Sequence, residues 1–325
     1  MRVGIASLDD NQRVALWESA MELSPSHRAI TILAAHLPTV PFEALQRWTL
    51  VGRDHALLLA YRSQFGESIQ VEGRCHACDT KTQLAFTVSD LLESSSETLK
   101  AAVSCIGSRD ESGNQYKHQH TQASLVDTDV YVPTYHPIAL NGDEYRFRLP
   151  TTQDLALIQS SSSAQNINPS GITTKQVCER LLDEASFNDL CAVFADKHSE
   201  GGATECRKNE REQNDKEHQN KKQQDKGLES EEQQAWISTL DTLEQEMLRI
   251  EPLTIVSLNA SCPECGAQTQ HQFDIGHQYW ALLAADVEKQ LWDVHILATA
   301  YGWSSDAILS MSPARRRQHI AMVIS

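Results

Sequence analysis

Two Cys-x-x-Cys pairs carry the strongest chemical signal in the sequence. The first consists of Cys75 and Cys78, and the second of Cys262 and Cys265. A tight turn between the two cysteines, here called a knuckle, lets both thiolates reach one metal ion, and Gly266 eases that turn in the second copy. Four thiolates complete one tetrahedral zinc site. The sequence therefore predicts one structural zinc ion held by all four cysteines.

The residues around the knuckles form a repeat with a shift of 187 positions. The matched pairs are Ile69 and Val256, Val71 and Leu258, Phe86 and Phe273, and Val88 and Ile275. Apolar and polar residues alternate on both sides of each knuckle, which is typical of strands with one face on the core. Each copy thus predicts a strand, a knuckle, a second strand and then a helix. Two homologous hairpins can pack as a pseudo-symmetric pair with facing knuckles.

Two other interpretations of the cysteines stay open at this point. A redox dithiol of the thioredoxin type lies between a strand and a helix in a βαβ unit, whereas each pair here joins two strands. A remnant site that no longer binds metal is the second alternative. The sequence has no phosphate-binding glycine loop, nucleophile elbow or His-Glu-x-x-His pattern. We therefore assign no catalytic residues and expect neither an enzyme nor a small-molecule substrate.

The net charge and the lengths of the apolar runs limit the possible partners and the cellular compartment. The formal net charge is −16, and acidic residues such as Glu72 and Glu264 lie around the knuckles. This charge disfavours a nucleic acid partner and the alternative of a zinc-ribbon regulatory or nucleic-acid-binding module, because phosphates would be repelled. No apolar run reaches about 18 residues and no export signal opens the sequence, so we expect a cytoplasmic protein without a membrane partner.

The sequence predicts an α+β fold in which the repeated knuckle hairpins form a zinc-stapled core surrounded by helices. Six segments are distinguished: an N-terminal helical part (1–66), the first knuckle hairpin and its helix (67–103), a polar insertion (104–130), a middle hairpin with helices (131–195), a charged low-complexity insertion (196–234), and the second knuckle hairpin with the C-terminal helices (235–325). Segments 67–103 and 235–325 are expected to pack as one core. The polar insertion is expected to be a loop with little packing, and the middle hairpin, which has no cysteines, is expected to turn at Asn141–Gly142.

The C-terminal helices are predicted to bind partners. The apolar stripe of the longest helix consists of Trp280, Leu283, Val287, Leu291, Val294, Leu297, Ala298 and Tyr301. Trp292 falls off this stripe, so we expect it to be exposed, and exposed tryptophans are common interface anchors. Trp303 and the triple arginine of Arg315, Arg316 and Arg317 complete the predicted surface. A solvated face of a terminal helix is the other interpretation of the arginines.

Several segments resemble one known family. They are Val51–Leu59 with Arg62 and Phe65–Gly66 before the first knuckle, Phe147–Thr151 with Asp154–Leu155, Phe273–Ile275 with Trp280, and Asp293–Ala298 with Tyr301–Ser304 and Ser312–Arg316. In this order they resemble the baseplate hub assembly chaperone-like proteins of T-even-type contractile phage tails and extracellular contractile injection systems. The two insertions depart from that pattern. The resemblance implies a non-enzymatic role in assembling or forming a baseplate, with baseplate, hub and spike proteins as partners, and retention in the particle as one option.

Overall fold

Helices and small antiparallel sheets make up the fold. The computed structural model describes residues 2–105, 124–163, 173–199 and 233–324. Most of the polar insertion (106–123) and of the charged insertion (200–232) lies outside these residues. The chain divides into a first unit, Met1–Val132 with Glu251–Ser325, and a second unit, Pro133–Ile250.

The first unit contains most of the helices and both knuckle hairpins. Its helices are α1 (Asp10–Ala20), α2 (Pro25–His36), α3 (Phe42–Gln46), α4 (Leu50–Phe65), α5 (Val88–Glu93), α6 (Glu97–Ala102), α11 (Ile275–Tyr301), α12 (Ser305–Leu309) and α13 (Pro313–Ile324). Its strands are β1 (Arg2–Gly4), β2 (Ser68–Arg74), β3 (Lys81–Thr87), β4 (Val103–Cys105), β5 (Ser124–Asp127), β8 (Val256–Ser261) and β9 (Gln268–Phe273). Strands β2–β3 and β8–β9 are two-stranded antiparallel hairpins. The fold therefore combines helices with small antiparallel sheets, which confirms the predicted α+β class.

Helix α4 forms the centre of the first unit. The Thr49 hydroxyl caps its start by accepting from the Gly52 amide at 3.0 Å, which satisfies one of the free amides of the first turn. Residues 55–61 are buried without interruption, so the helix contacts neighbours on all sides. It packs against α2, α5 and α11. The apolar run of the sequence therefore corresponds to a core helix.

The ends of the polar insertion are ordered, contrary to the prediction of a loop with little packing. Strand β5 pairs with both β1 and β4 in a three-stranded sheet of order β1–β5–β4. Val126 is fully buried, and so is Tyr131 in the 3-10 turn that follows. The pairing partner Val3 is more than a hundred positions away in the sequence, and a strand of four residues has too few positions to show alternation.

Two buried histidine–tyrosine pairs join distant helices of the first unit. His36 lies 2.5 Å from the Tyr279 hydroxyl, and His55 lies 2.7 Å from the Tyr131 hydroxyl. Burial lowers the pKa of both His36 and His55 to about 4. Both imidazoles are therefore neutral in the folded chain at neutral pH.

Acid is expected to destabilise the first unit through these histidines. Between pH 6.5 and about 4 the unfolded chain binds protons that folded His36 and His55 do not, so the free energy of unfolding falls as the pH drops. The loss approaches roughly 3 kcal/mol for each histidine near pH 4. Urea unfolding of the native chain and of His36→Gln, repeated between pH 7 and pH 4, measures this loss of unfolding free energy. The variant should be less stable at pH 7 but show a shallower pH dependence; parallel pH profiles would contradict the assignment.

The second unit is built on the predicted cysteine-free hairpin. It comprises β6 (Tyr135–Leu140), β7 (Asp143–Arg148), α7 (Thr152–Ser163), α8 (Thr174–Leu181), α9 (Glu184–Ser199) and α10 (233–250). Asn141 and Gly142 both have positive φ, 56° and 98°, which confirms the predicted Asn-Gly turn. Trp236 packs on Phe187 and Phe194, with ring centroids at 5.5 and 4.8 Å. These contacts place residues 233–250 in the second unit, whereas the sequence division grouped 235–250 with the C-terminal segment.

Helix α11 runs from an N-cap at Asp274 to Gly302, whose left-handed φ of 66° ends it. Its buried residues are Ile275, Tyr279, Leu283, Val287, Gln290 and Leu297. The predicted stripe is correct at its centre and wrong at Leu291 and Tyr301, which are 42% and 40% exposed. At two positions burial falls one residue earlier than predicted, on Tyr279 instead of Trp280 and on Gln290 instead of Leu291. Among the described helices, α11 included, we find none with the length and apolarity needed to cross a membrane.

Candidate metal centre

The two knuckles have the same backbone geometry. In the first, the Asp79 amide donates to the Cys75 carbonyl at 2.9 Å, and in the second, the Gly266 amide donates to the Cys262 carbonyl at 3.0 Å. Asp79 and Gly266 occupy equivalent positions and both have positive φ, 56° and 71°. Glycine adopts this conformation freely and aspartate tolerates it better than most residues. The repeat seen in the sequence is therefore a repeat of turn conformation.

The four predicted cysteines converge on one point. Their sulfur atoms all lie within 4.8 Å of one another. The closest contacts cross between the hairpins, with Cys75 Sγ and Cys265 Sγ 3.6 Å apart and Cys78 Sγ and Cys262 Sγ also 3.6 Å apart. In each knuckle the first cysteine is buried and the second is exposed. This arrangement is compatible with a metal site.

The hairpins approach each other closely enough to bring the knuckles together. The rings of Phe86 and Phe273, which are equivalent in the repeat, pack edge to face at 5.2 Å. Gly73 on β2 faces the imidazole of His271 on β9, and a Cβ on Gly73 would lie 2.7 Å from two of its ring atoms. A glycine at this position therefore permits the close approach.

Gly73→Ala is expected to destabilise the paired hairpins by about 1–3 kcal/mol, because the added methyl group overlaps the His271 ring. Denaturant unfolding measures the change. The double variant Gly73→Ala with His271→Ala should recover most of the loss, since the smaller partner makes room for the methyl group. The single variant His271→Ala serves as the reference for that comparison. If the two substitutions were simply additive, the proposed overlap would be absent.

The two exposed thiols have opposite electrostatic surroundings. Hydrogen bonds with the side chain and the backbone of Thr80 lower the pKa of Cys78 to about 6. At Cys265, a backbone hydrogen bond with Ala267 lowers the pKa, but the thiols of Cys78 and Cys75 outweigh it and raise the pKa to about 12. Thr80 and Ala267 are equivalent in the repeat, so the hydroxyl is found in one knuckle only. Sequence reasoning missed Thr80, although comparison of the two knuckles carries the signal.

The cluster thus resists full ionisation in the absence of a cation. Thiolates a few ångströms apart repel one another, and ionising one raises the pKa of the next. A divalent cation placed between them would reverse this, since metal binding replaces the protons of coordinating thiols. The donor set and its spacing therefore fit a thiophilic cation.

The predicted aromatic surface residues lie at two different places. Trp292 on α11 is 60% exposed and contacts His295 edge to face, with ring centroids at 5.8 Å. Trp303 is only half-exposed. Its ring stacks on Tyr301 at 4.5 Å and meets His319 edge to face at 5.1 Å. The expected exposure of Trp292 is confirmed, whereas Trp303 belongs to a small aromatic cluster.

The triple arginine is not a single basic surface. Arg315 and Arg317 are exposed, but Arg316 is only 2% exposed. Its guanidinium forms an ion pair with Asp10 on α1 and lies 3.9 Å from Asp293 on α11. Helical geometry turns the middle residue of three towards the neighbouring helices. Arg316 is therefore an internal residue of the first unit, and the prediction that it contacts a partner is corrected.

Among the described residues, the four cysteines form the one group of three or more His, Cys, Asp or Glu side chains that could hold a metal ion. His76, next to Cys75 in the sequence, is exposed and does not belong to this group. Comparison of the chain with protein-family models, with curated proteins and with solved structures finds no match.

Proposed function

We propose that Cys75, Cys78, Cys262 and Cys265 bind one structural zinc ion. The observation that carries this proposal is the convergence of four thiols from two hairpins 187 positions apart. With zinc–sulfur bonds of about 2.3 Å, the sulfur atoms of a tetrahedral site lie about 3.8 Å apart. The cross-hairpin distances of 3.6 Å are close to that value.

The donor set favours zinc and a structural role. Tetrahedral sites with four thiolates select zinc or iron among the common metals. When cysteines fill all four positions, none is left for a water molecule or a substrate, as it is in catalytic zinc sites. The ion would act as a cross-link between β2–β3 and β8–β9. Because these hairpins are distant in the sequence, the cross-link restricts the unfolded chain strongly.

We further propose that the chain is a non-enzymatic assembly or structural protein that acts through protein–protein contacts at the baseplate of a contractile tail or injection particle. The resemblance of the segments around the knuckles and in the C-terminal helices supports this context. A cross-linked scaffold that presents exposed side chains, among them Trp292, Arg315 and Arg317, is suited to holding other subunits. Baseplate, hub and spike proteins are the proposed partners.

Metal analysis of the purified, reduced chain tests the zinc proposal. We expect one zinc per chain and no iron, with a colourless protein. Cys265→Ser should lower the zinc content, whereas Cys191→Ser, which changes a cysteine outside the cluster, should leave it unchanged. The assignment would be overturned if the purified chain contained no zinc, or if Cys265→Ser had the same zinc content as the native chain.

Purification of the tagged chain from cells that produce the particle tests the baseplate proposal. We expect hub and spike proteins to copurify, and a strain without the chain to form sheaths and tubes that lack complete baseplates in electron micrographs. Arg315→Ala combined with Arg317→Ala should reduce the recovery of partners without changing the zinc content. Normal particles in the deletion strain would contradict the proposal even if zinc were bound.

A further inference from the structure

One side of α11 is exposed and has the pattern of a helix–helix interface. Ala281, Ala285, Glu288, Trp292 and His295, here called the outer face, are all exposed. Their spacing alternates between four and three residues, which is the repeat of two helices that pack along a seam. The opposite side of α11 contacts α1, α2, α4, α12 and α13. The outer face therefore lies away from these helices.

Trp292 is the largest side chain of this face, and its ring is restrained before any partner binds. It is 60% exposed, the largest exposed fraction among the large hydrophobic residues of α11. The edge-to-face contact with His295 restrains its ring, so less side-chain entropy would be lost when a partner covers it. Leu291, which is 42% exposed, extends the apolar surface beside it. A tryptophan in this setting is a typical interface hot spot.

We propose that the outer face binds the outer face of a second copy of this chain, with the two α11 helices antiparallel. A two-fold axis passing between positions 288 and 289 places residue 292 opposite residue 285 of the second copy. Trp292 of each chain would then pack on the small side chain of Ala285 of the other. Such large-to-small pairing lets helices interdigitate, and it occurs twice because a two-fold interface is self-complementary.

The charges at the centre of the face are complementary to those of a second, antiparallel copy. Glu288 and Lys289 are adjacent and both exposed. The same two-fold axis places Glu288 of each chain opposite Lys289 of the other. Two ion pairs result, each between a carboxylate and an ammonium group. Parallel helices would instead bring Trp292 against Trp292, without the small partner. Helix α11 has 27 residues and is therefore roughly 40 Å long, which provides enough length for contacts on both sides of the axis.

This inference goes beyond the proposed function, because it requires neither the metal nor a baseplate partner. Size-exclusion chromatography with light scattering and sedimentation velocity, on the full zinc-loaded chain across a wide concentration range, test it. We expect a dimer in equilibrium with the monomer. Trp292→Glu should weaken the dimer by about 30-fold or more. The control Ile324→Glu, at a residue on α13 that is 70% exposed, should leave the dimer unchanged.

A charge swap tests the register independently of Trp292. Glu288→Lys and Lys289→Glu should each weaken the dimer severalfold, because each creates like charges across the axis. The double variant should restore it, because it exchanges the two charges and keeps every ion pair. A native chain that is monomeric at all concentrations would overturn the proposal. A dimer unaffected by Trp292→Glu would overturn it too, and single variants not rescued by the double variant would overturn the antiparallel register.

Discussion

Cys262→Ser is expected to release the proposed zinc ion and to unfold the paired hairpins. Cys262 is buried at the centre of the cluster, 3.6 Å from Cys78, so a serine hydroxyl in its place removes one ligand without offering a thiolate. Structural zinc contributes about 10–16 kcal/mol to the folding of small zinc domains. That value reaches or exceeds the whole stability of a typical domain, about 5–15 kcal/mol. Thermal unfolding followed by circular dichroism, together with zinc content, measures the effect.

Conservative ligand exchange provides the matched comparison. Cys78→His should keep most of the zinc and of the stability, because three cysteines and one histidine also form structural zinc sites and the Cys78 side chain is exposed. Cys191→Ser should behave as the native chain. A strong chelator should lower the melting temperature of the native chain towards that of Cys262→Ser. If Cys262→Ser unfolded at the native temperature, the cross-link would have no structural role.

Arg316→Met is expected to lower the free energy of unfolding by about 3 kcal/mol, because it removes a charge from a buried network and leaves its partners behind. Arg316 pairs with Asp10 and lies near Asp293. Burial raises the pKa of Asp293, so this carboxylate already has a costly environment. Methionine keeps the length of the apolar stem, so the loss reports mainly on the charge. Denaturant unfolding measures it.

The neighbouring arginines are matched controls for that experiment. Arg315→Met and Arg317→Met change the same side chain on the same helix at exposed positions. Each should alter the stability by less than about 0.5 kcal/mol. Equal effects of all three substitutions would contradict the internal role of Arg316. A further charge at the same junction, Arg13, lies 2.8 Å from Asp286, so α1, α11 and α13 are joined by ion pairs as well as by apolar packing.

The sequence was sufficient to predict the two hairpins and the clustering of their four cysteines. The alternation around Cys75 and Cys262 predicted both hairpins, and the shift of 187 positions predicted their equivalence. Side-chain alternation and turn residues are local signals, so they can be recognised without knowledge of the tertiary structure. For the same reason the Asn141–Gly142 turn of the second unit was predicted correctly.

Features that depend on distant residues escaped sequence reasoning. Strand β5 pairs with β1 across more than a hundred positions, and its four residues carry little pattern of their own. Whether an arginine is solvated or buried depends on which carboxylates come near it, and Asp10 lies 306 positions from Arg316. The helices that pack on α11 likewise determine which of two adjacent residues faces inward, and at positions 290 and 291 the buried residue is Gln290. The sequence placed Leu291 inside, and the structure exposes it.

The order of the ligands along the chain has a consequence for biosynthesis. Cys75 and Cys78 are made early, whereas Cys262 and Cys265 follow only after the whole second unit. The first hairpin therefore supplies only two of the four proposed ligands while more than half of the chain is synthesised. The proposed metal centre can form only after both halves of the first unit have been made, so a truncated chain that lacks β8–β9 would lack the cross-link.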